Sequence, residues 1–392
     1  MYWPLQENFL DKKSINKLTN FIKKNKRLTQ FTKVKEFENK YSQWNGSKYS
    51  IFVNSGSSAN LIIIQACKEL YKWKNNDEII VPAVTWPTTI TPVMQFGLKP
   101  IFVDVNLSDF SFDYEKLKKS ITKKTKAIFV AHLIGFPANL TKIKNIIKNR
   151  NIKILEDCCE SQGAIFNKKK LGNIGIAGSF SFYWGHHMST IEGGMICTNN
   201  KKFYNLCLLK RSHGLARELP PKEQNYYKKK YNKNNFKFLF LTDGFNLRST
   251  EINAFLGLMM LKKINSWIKI RNKNFKNFEK ILKKFEGKFT IFNPITRISS
   301  FVLPFLMRDK KEKVRLENYL NSHGIETRPF IAGNLLRQPF LLNYNKKIFK
   351  NADKIEFNAF YIGNNQFVNT KRINKLDYLM KKFFSKKINN FF

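Results

Sequence analysis

The sequence predicts an α/β protein whose mainly parallel sheet is covered by helices on both faces. From about residue 50, short apolar segments such as IIVP and IFVDV alternate with segments of helical spacing. This alternation is typical of a parallel sheet, because each connection must cross one face of the sheet. From about Leu247, a long helical segment leads to SFVLPFLM and a lysine-rich last helix. We therefore expect a large domain at 1–248 and a smaller C-terminal α+β domain at 249–392.

The individual elements follow from local patterns. In the segment KVKEFENKYSQW, helical spacing places Val34, Phe37 and Tyr41 on one apolar face. Predicted strands lie in SIFV, DEIIVPAVTW, KPIFVDV, KAIFVAHLIG and IKILEDCC. After the first strand a helix is expected to start near Ser57 or Ser58, either of which can cap exposed amides.

Composition limits the choice of partners. The formal net charge of +42 would ordinarily suggest nucleic acid. However, the lysines are scattered along the whole chain without a basic stripe, which favours solvated surfaces over a nucleic-acid site. No apolar run reaches the roughly 20 residues needed to cross a bilayer, so no membrane partner is expected. The start MYWPLQENFL lacks the features of a secretion signal, which predicts a cytoplasmic protein.

The segment SFSFYWGHHMSTIEGG, residues 179–194, is the strongest candidate for the chemistry. Its start alternates hydroxyl and aromatic residues, so Ser179 and Ser181 are expected to share one face of a strand. Two histidines and a glycine-rich turn follow. An isolated histidine is usually structural, but a pair between a strand end and such a turn favours acid–base chemistry. His186 and His187 are therefore candidate site residues.

Three further features could form a ligand site. The loop NSGSSAN, residues 54–60, joins a strand to a helix start, where backbone amides favour a phosphate, although it is neither a Walker loop nor a GxGxxG motif. Trp86 follows a strand and could stack on an aromatic cofactor or pack in the core. Asp157 ends the strand KILED, where its carboxylate could pair with a protonated ring nitrogen or cap a helix.

The order NSGSSAN, VPAVTW, ILEDCCES, SFSF and GFNLRSTEINAFLG resembles the DegT/DnrJ/EryC1/StrS sugar aminotransferase family over nearly the whole chain. The resemblance implies fold type I of the enzymes that depend on pyridoxal 5′-phosphate (PLP). It also implies a homodimer that shares its active sites.

The same resemblance assigns cofactor contacts. It implies that the following residues hold the cofactor phosphate: Gly56, Ser57, Ser58 and Ser181. Trp86 would stack on the ring, and Asp157 would pair with the pyridine nitrogen as part of the catalytic apparatus, with Glu160 nearby. Asn246 and Arg248 would reach the site from the partner subunit.

One departure from the family pattern decides the predicted reaction. The family's Schiff-base lysine stands six residues before the glutamate of its EGG turn, and counting back from Glu192 gives His186. Imidazole cannot form that bond, so PLP or its amine form (PMP) would be held without a covalent link, with imidazole as a base of near-neutral pKa. This replacement characterises the branch that removes a hydroxyl from nucleotide-linked 4-keto-6-deoxy sugars. The segment TRPFIAGNLLRQPF also resembles that branch.

The predicted function is therefore a PLP/PMP-dependent 3-dehydratase in deoxysugar or surface-polysaccharide synthesis, with glutamate as amino donor. In this reading His186 moves the proton. A type of the branch that carries an iron–sulfur cluster has cysteines where this chain reads RSHGLARELP, so no cluster or other metal is expected. Predicted substrate contacts are these: His187 in an orienting or packing role, His213, Arg328, Asn334 and Arg337.

Two alternatives stay open at this point. A sugar aminotransferase that makes a 4-amino sugar would need another base in place of the lysine. An inactive PLP-fold protein that binds a sugar nucleotide would belong to a different class. The presence of Trp86, Asp157 and Ser181 argues against the second alternative, because an idle pocket has no physical need for them.

Overall fold

The computed structural model describes residues 2–231, 236–292, 294, 296–344 and 347–385. In chain order the strands are β1 (Tyr49–Val53), β2 (Glu78–Pro82), β3 (Lys99–Val103), β4 (Thr125–Ala131), β5 (Lys153–Asp157), β6 (Ile165–Phe166), β7 (Lys169–Lys170), β8 (Ala177–Ser181), β9 (Gly194–Thr198), β10 (Val302–Leu306), β11 (Thr327–Pro329) and β12 (Ala359–Gly363).

The helices lie mainly between these strands. They are α1 (Lys12–Lys24), α2 (Thr32–Asn45), α3 (Gly56–Leu70), α4 (Thr91–Gln95), α5 (Tyr114–Ser120), α6 (Leu140–Ile146), α7 (Lys201–Arg211), α8 (Pro221–Tyr231), α9 (Glu251–Leu261), α10 (Ile264–Lys283), α11 (Lys310–Ser322), α12 (Lys350–Asn358) and α13 (Thr370–Ser385). No helix within the described ranges is both long enough and apolar enough to span a membrane.

A seven-stranded sheet in the order β1-β9-β8-β5-β4-β2-β3 forms the centre of the molecule. The strands from β8 to β3 in this order are parallel, whereas β9 runs antiparallel to both β1 and β8. Helices cover the sheet, which confirms the predicted α/β class. A separate antiparallel sheet, β10-β12-β11, lies in the C-terminal region.

Two predicted helices illustrate how local sequence led to local structure. The face of α2 formed by Val34, Phe37 and Tyr41 is completely buried, as predicted. Helix α3 begins earlier than expected, because extended Ser55 is its N-cap and its hydroxyl accepts a hydrogen bond from the amide of Ser58 at 3.0 Å. The prediction that Ser57 or Ser58 caps this helix is therefore wrong.

The start of the chain packs on the C-terminal region. Trp3 is fully buried, pairs with Ile325 and donates its indole N–H to the carbonyl of Gly363 at 3.0 Å.

Helix α9 follows the predicted domain boundary but packs on α2, where a side chain at Gly257 would meet the ring of Phe37 at 2.5 Å. The domain boundary at 248/249 stays a prediction.

The register of the central sheet brings three loops to one edge. Gly194, the first residue of β9, pairs with Val53 at the end of β1 and with Ser181 at the end of β8. Asp157, which ends β5, lies opposite Ser179 of β8. The carboxyl ends of parallel strands form the edge at which α/β sheets bind ligands.

Candidate active site

A cavity of about 710 Å³ opens at this carboxyl edge. Its wall combines residues that follow β2, β4, β5 and β8 with residues of the C-terminal sheet and of the chain start. The predicted site residues that line it are these: Gly56, Ser57, Trp86, Asp157, Glu160, Ser181, His186 and Arg328.

Asp157 is held rigidly at the wall of the cavity. One carboxylate oxygen accepts hydrogen bonds from the amide of Asn60 and the hydroxyl of Thr89, both at 2.8 Å, and the other accepts from the amide of Cys159 at 3.1 Å. No described helix begins at Asp157, so the alternative of a helix cap is wrong. Asn60 was missed, although an amide within the apolar run of α3 was a usable signal.

The start of α3 forms a cradle that only glycine permits. A Cβ atom at Gly56 would lie 2.6 Å from the Cβ atom of Ser181, so the backbone approaches the end of β8 directly. The first amides of a helix attract anions, because they lack partners within the helix. Ser57 lines this cradle, whereas Ser58 turns away and its hydroxyl contacts that of Ser55 at 2.9 Å.

Trp86 has an exposed ring beside the cradle. Its side chain is 55% exposed, so the alternative of a core tryptophan is wrong. An exposed indole face at the wall of a cavity is suited to stacking on a planar ring.

His186 presents one ring nitrogen to the cavity. Its Nδ1 lies 2.7 Å from the carbonyl oxygen of Cys159, which can only accept, so Nδ1 donates and Nε2 keeps a free lone pair. Burial lowers the pKa of this imidazole to about 4, although the charge of Asp157 opposes the shift. The ring is therefore neutral at physiological pH, and the expected near-neutral pKa is wrong. Cys159, which follows β5, also lines the cavity.

His187 points away from the cavity. It is 1% exposed, and its Nε2 lies 2.9 Å from the carbonyl oxygen of Ser299. Its ring also packs on Phe301, at 5.7 Å between ring centroids. This placement fits the packing role, and contact with substrate stays a prediction.

The acidic groups of the cavity outnumber its cations. Four carboxyl groups, from Asp157, Glu160, Glu192 and Glu326, line the wall, while Arg328 is the single arginine and no lysine is present among the described lining residues. One carboxyl group holds its proton unusually well. Burial raises the pKa of Glu160 to about 8, and the charge of Asp157 adds to this effect.

Comparison with known proteins places this site in a family. The model of the DegT/DnrJ/EryC1/StrS aminotransferase family matches residues 9–376. The chain belongs to this family.

Several family members are similar to the chain over almost its whole length. GDP-4-keto-6-deoxy-D-mannose 3-dehydratase of Escherichia coli O55:H7 is 37% identical, over 88% of this chain and 90% of that protein. The Yersinia pseudotuberculosis protein of the same name is 34% identical, over 97% of this chain and 98% of that protein. A solved GDP-4-keto-6-deoxymannose 3-dehydratase with a trapped PLP–glutamate geminal diamine has a TM-score of 0.88 at 34% identity, covering 97% of this chain and 99% of that chain.

Three residues that the family resemblance assigned lie outside the cavity of the single chain. His213 and Asn246 are exposed, and the Oδ1 atom of Asn246 accepts a hydrogen bond from Nε of Arg248 at 3.0 Å. His213, Asn246 and Arg248 do not line the cavity. Their cofactor and substrate contacts stay predictions.

Asn334 and Arg337 also lie outside the cavity. Both contact Asp353, at 2.9 Å and 3.3 Å, and the side chain of Asn334 accepts a hydrogen bond from the amide of Leu336. These contacts stabilise the local turn, and the predicted substrate contacts stay predictions.

The cavity contains residues that sequence reasoning missed. Gln6 near the chain start donates to the carbonyl of Trp184 at 3.2 Å, while Glu326 immediately precedes β11 and Tyr361 lies on β12. No motif marks these residues, because they meet the family segments only through the packing of distant parts of the chain.

Proposed function

We propose that this family member removes the C3 hydroxyl of a nucleotide-linked 4-keto-6-deoxy hexose, with PLP/PMP as cofactor and glutamate as amino donor. GDP-4-keto-6-deoxy-D-mannose is the first candidate substrate, because the most similar relatives reported above are named for it. The observation that carries the proposal is the imidazole of His186 in a cavity whose described lining residues include no lysine. An aminotransferase that forms a Schiff base with lysine would need that amine.

The side chains present fit the cofactor. The anion-attracting cradle at Gly56 and Ser181 would hold the phosphate, the exposed ring of Trp86 would cover the pyridine ring, and Asp157 would pair with the ring nitrogen. When bound, the cofactor supplies an amine for the C4 ketone and a ring that accepts electrons.

His186 provides the proton transfer. Its Nδ1–H is fixed by Cys159, so Nε2 faces the cavity as a neutral base. The protonated ring can then deliver the proton to the oxygen that leaves C3. The sugar loses one oxygen atom, while glutamate becomes 2-oxoglutarate and ammonia, so atoms and electrons balance without another reductant.

We also propose a homodimer in the cytoplasm, where nucleotide sugars and glutamate are available. The proposed ligands carry several negative charges, yet the described wall of the cavity offers one arginine against four carboxyl groups. A partner subunit would supply the missing cation. Arg248, whose guanidinium contacts only the side chain of Asn246 among the described hydrogen bonds, is the candidate.

The direct test is a product assay. Purified protein with PLP, glutamate and a panel of 4-keto-6-deoxy sugar nucleotides should yield a product that has lost one oxygen atom, detected by mass, together with 2-oxoglutarate and ammonia. A 4-amino sugar would identify an aminotransferase, and binding without turnover of any panel member would identify an inactive binding protein. Activity that requires bound iron would contradict the prediction that the protein contains no iron–sulfur cluster.

A further inference from the structure

Arg271 is a buried cation that has no acidic partner among the described residues. It lies on α10 and is 1% exposed, and within the described part of the chain its hydrogen bonds all go to backbone carbonyl oxygens. The other buried arginine, Arg211, pairs with Glu38 at 2.6 Å. Burying a charge without a counterion costs free energy, so the position of Arg271 requires a structural or functional explanation.

The guanidinium connects three separate segments. Its Nη1 donates to the carbonyl of Phe301 at 2.9 Å and to the carbonyl of Asn364, and its Nη2 lies 3.4 Å from the carbonyl oxygen of His186. The ring of Phe301 in turn packs against His186, at 5.2 Å between centroids. One side chain thus ties α10 and the end of the C-terminal sheet to the histidine.

The contact between Arg271 and His186 can hold the loop from 182 to 193 in place, which is important because this loop contains no helix or strand. The amide of Asn253 fixes the far part of the loop by donating to the carbonyls of Thr190 and Glu192. The backbone of His186 has only a turn contact with Tyr183 besides its contact with Arg271. Without Arg271, the carbonyl of His186 would lose this hydrogen bond, and the middle of the loop would be held mainly by side-chain contacts such as those of His186 with Cys159 and of His187 with Ser299.

The same guanidinium acts on the charge of the imidazole. Among the described residues, the ionisable groups that line the cavity or contact this loop are these: His132, Asp157, Cys159, Glu160, Tyr183, His187, Glu192, Glu326, Arg328, Tyr361 and Arg271. Burial is the main cause that lowers the pKa of His186 and Arg271 adds to it, whereas the hydrogen bond to Cys159 and the charge of Asp157 raise this pKa. Burial also lowers the pKa of Arg271 to about 9, so it remains charged at neutral pH.

We propose that Arg271 is the positioning residue of the histidine loop, which orients His186 through its backbone carbonyl and adds to the effect of burial that keeps its ring neutral for proton transfer. Arg271 does not line the cavity and touches no reacting atom. The proposal rests on the proposed function, because it assigns to Arg271 the support of that proton transfer.

Two variants separate orientation from charge. Arg271→Lys keeps the charge but cannot reach all three carbonyls, so kcat should fall about 10- to 100-fold, with little change in KM and no shift of the acidic limb of the pH profile. Arg271→Met also removes the charge, so the acidic limb should move about one pH unit upward. Arg211→Lys is the matched control, which should lower stability and leave the pH profile unchanged.

A second readout does not need turnover. In cofactor-free protein carrying ¹³C-labelled histidine, the His186 signal, assigned with His186→Gln, should titrate well below the ordinary histidine range and should move upward in Arg271→Met. A His186 that titrates near its ordinary value in the unchanged protein would overturn the proposal, even if Arg271→Met does not fold. Unchanged kcat in Arg271→Lys, or an unchanged titration in folded Arg271→Met, would overturn it as well.

These outcomes are distinct from failure of the proposed function. If the unchanged protein forms no deoxygenated product from any sugar nucleotide, the proposed function fails. The histidine titration would still decide whether Arg271 sets the charge of His186.

Discussion

Two clefts at opposite edges of the central sheet differ sharply in charge. The cavity at the carboxyl edge has four carboxyl groups and one arginine on its described wall. A cleft of about 810 Å³ at the amino edge has one carboxylate, Asp77, and the following cations: Lys72, Lys74, Lys123, Lys126, Arg150 and Lys153. Part of the lysine excess therefore surrounds one cleft, whereas no lysine lies among the described lining residues of the other.

The contrast shows that net charge is a poor guide to the ligand of this protein. At the amino edge, lysines lie in solvent or find local partners, as Lys126 does with Asp77 at 3.6 Å. A solvated surface charge costs little free energy, so such positions can change freely. In the cavity the carboxylate of Asp157 and the imidazole of His186 are fixed by specific contacts, and their chemistry depends on those contacts.

The largest change in activity is expected when a lysine is placed in the cavity. His186→Lys should lower dehydration about 10²- to 10⁴-fold, because the acid–base group is lost, while the new amine should bind the cofactor aldehyde covalently. Borohydride should then fix the cofactor to the peptide, which mass spectrometry detects, whereas the unchanged protein should lose its cofactor on dialysis. In His187→Lys no such adduct should form. An adduct there, together with an active His186→Lys enzyme, would show that the base is misassigned.

A second change tests whether the cavity needs its close backbone approach. Gly56→Ala should weaken cofactor binding about tenfold, because its Cβ atom would overlap Ser181. The control is Gly185→Ala, since a Cβ atom at Gly185 would meet no atom within 4 Å. Both dissociation constants can be measured by quenching of tryptophan fluorescence. Equal values for the two variants would contradict the role assigned to the cradle.

Removal of cations compares the two edges directly. Arg328→Ala should raise KM for the sugar nucleotide about tenfold or more, because it deletes the single arginine of the described cavity wall. Loss of two cations in Lys123→Ala/Arg150→Ala should leave KM within about twofold, as for most surface changes. If the double variant has the larger effect on initial rates, the amino-edge cleft takes part in binding.

The last prediction concerns stability rather than activity, and it is a pH dependence of unfolding caused by Glu160. Because its folded-state pKa is raised to about 8, the unfolded chain releases a proton that the folded protein still holds between the ordinary pKa and pH 8. This contribution is complete below the ordinary carboxyl pKa and is lost as pH rises, by at most about 1.4 kcal/mol per pH unit. Urea unfolding of cofactor-free protein should show a shallower decline with pH in Glu160→Gln than in Glu192→Gln. Equal slopes would mean that Glu160 is ionised.

Much of the site could be predicted because its segments are local. The strand end at Asp157, the glycine-rich start of α3 and the histidine at position 186 each lie in a contiguous motif, and the structure brings all three to one cavity. The N-cap was misassigned because three serines near the helix start are locally equivalent. Only the backbone conformation of Ser55 distinguishes them.

Sequence alone determined the alternation of strands and helices, and with it the edge at which the motifs meet, because side-chain periodicity and strand direction are properties of the chain. The tertiary structure decided which of two adjacent histidines faces the cavity and how the burial around it sets its charge. It also decided that Arg271, about 85 residues away along the chain, supports that histidine. Such relations depend on packing between distant segments, and no local pattern encodes them.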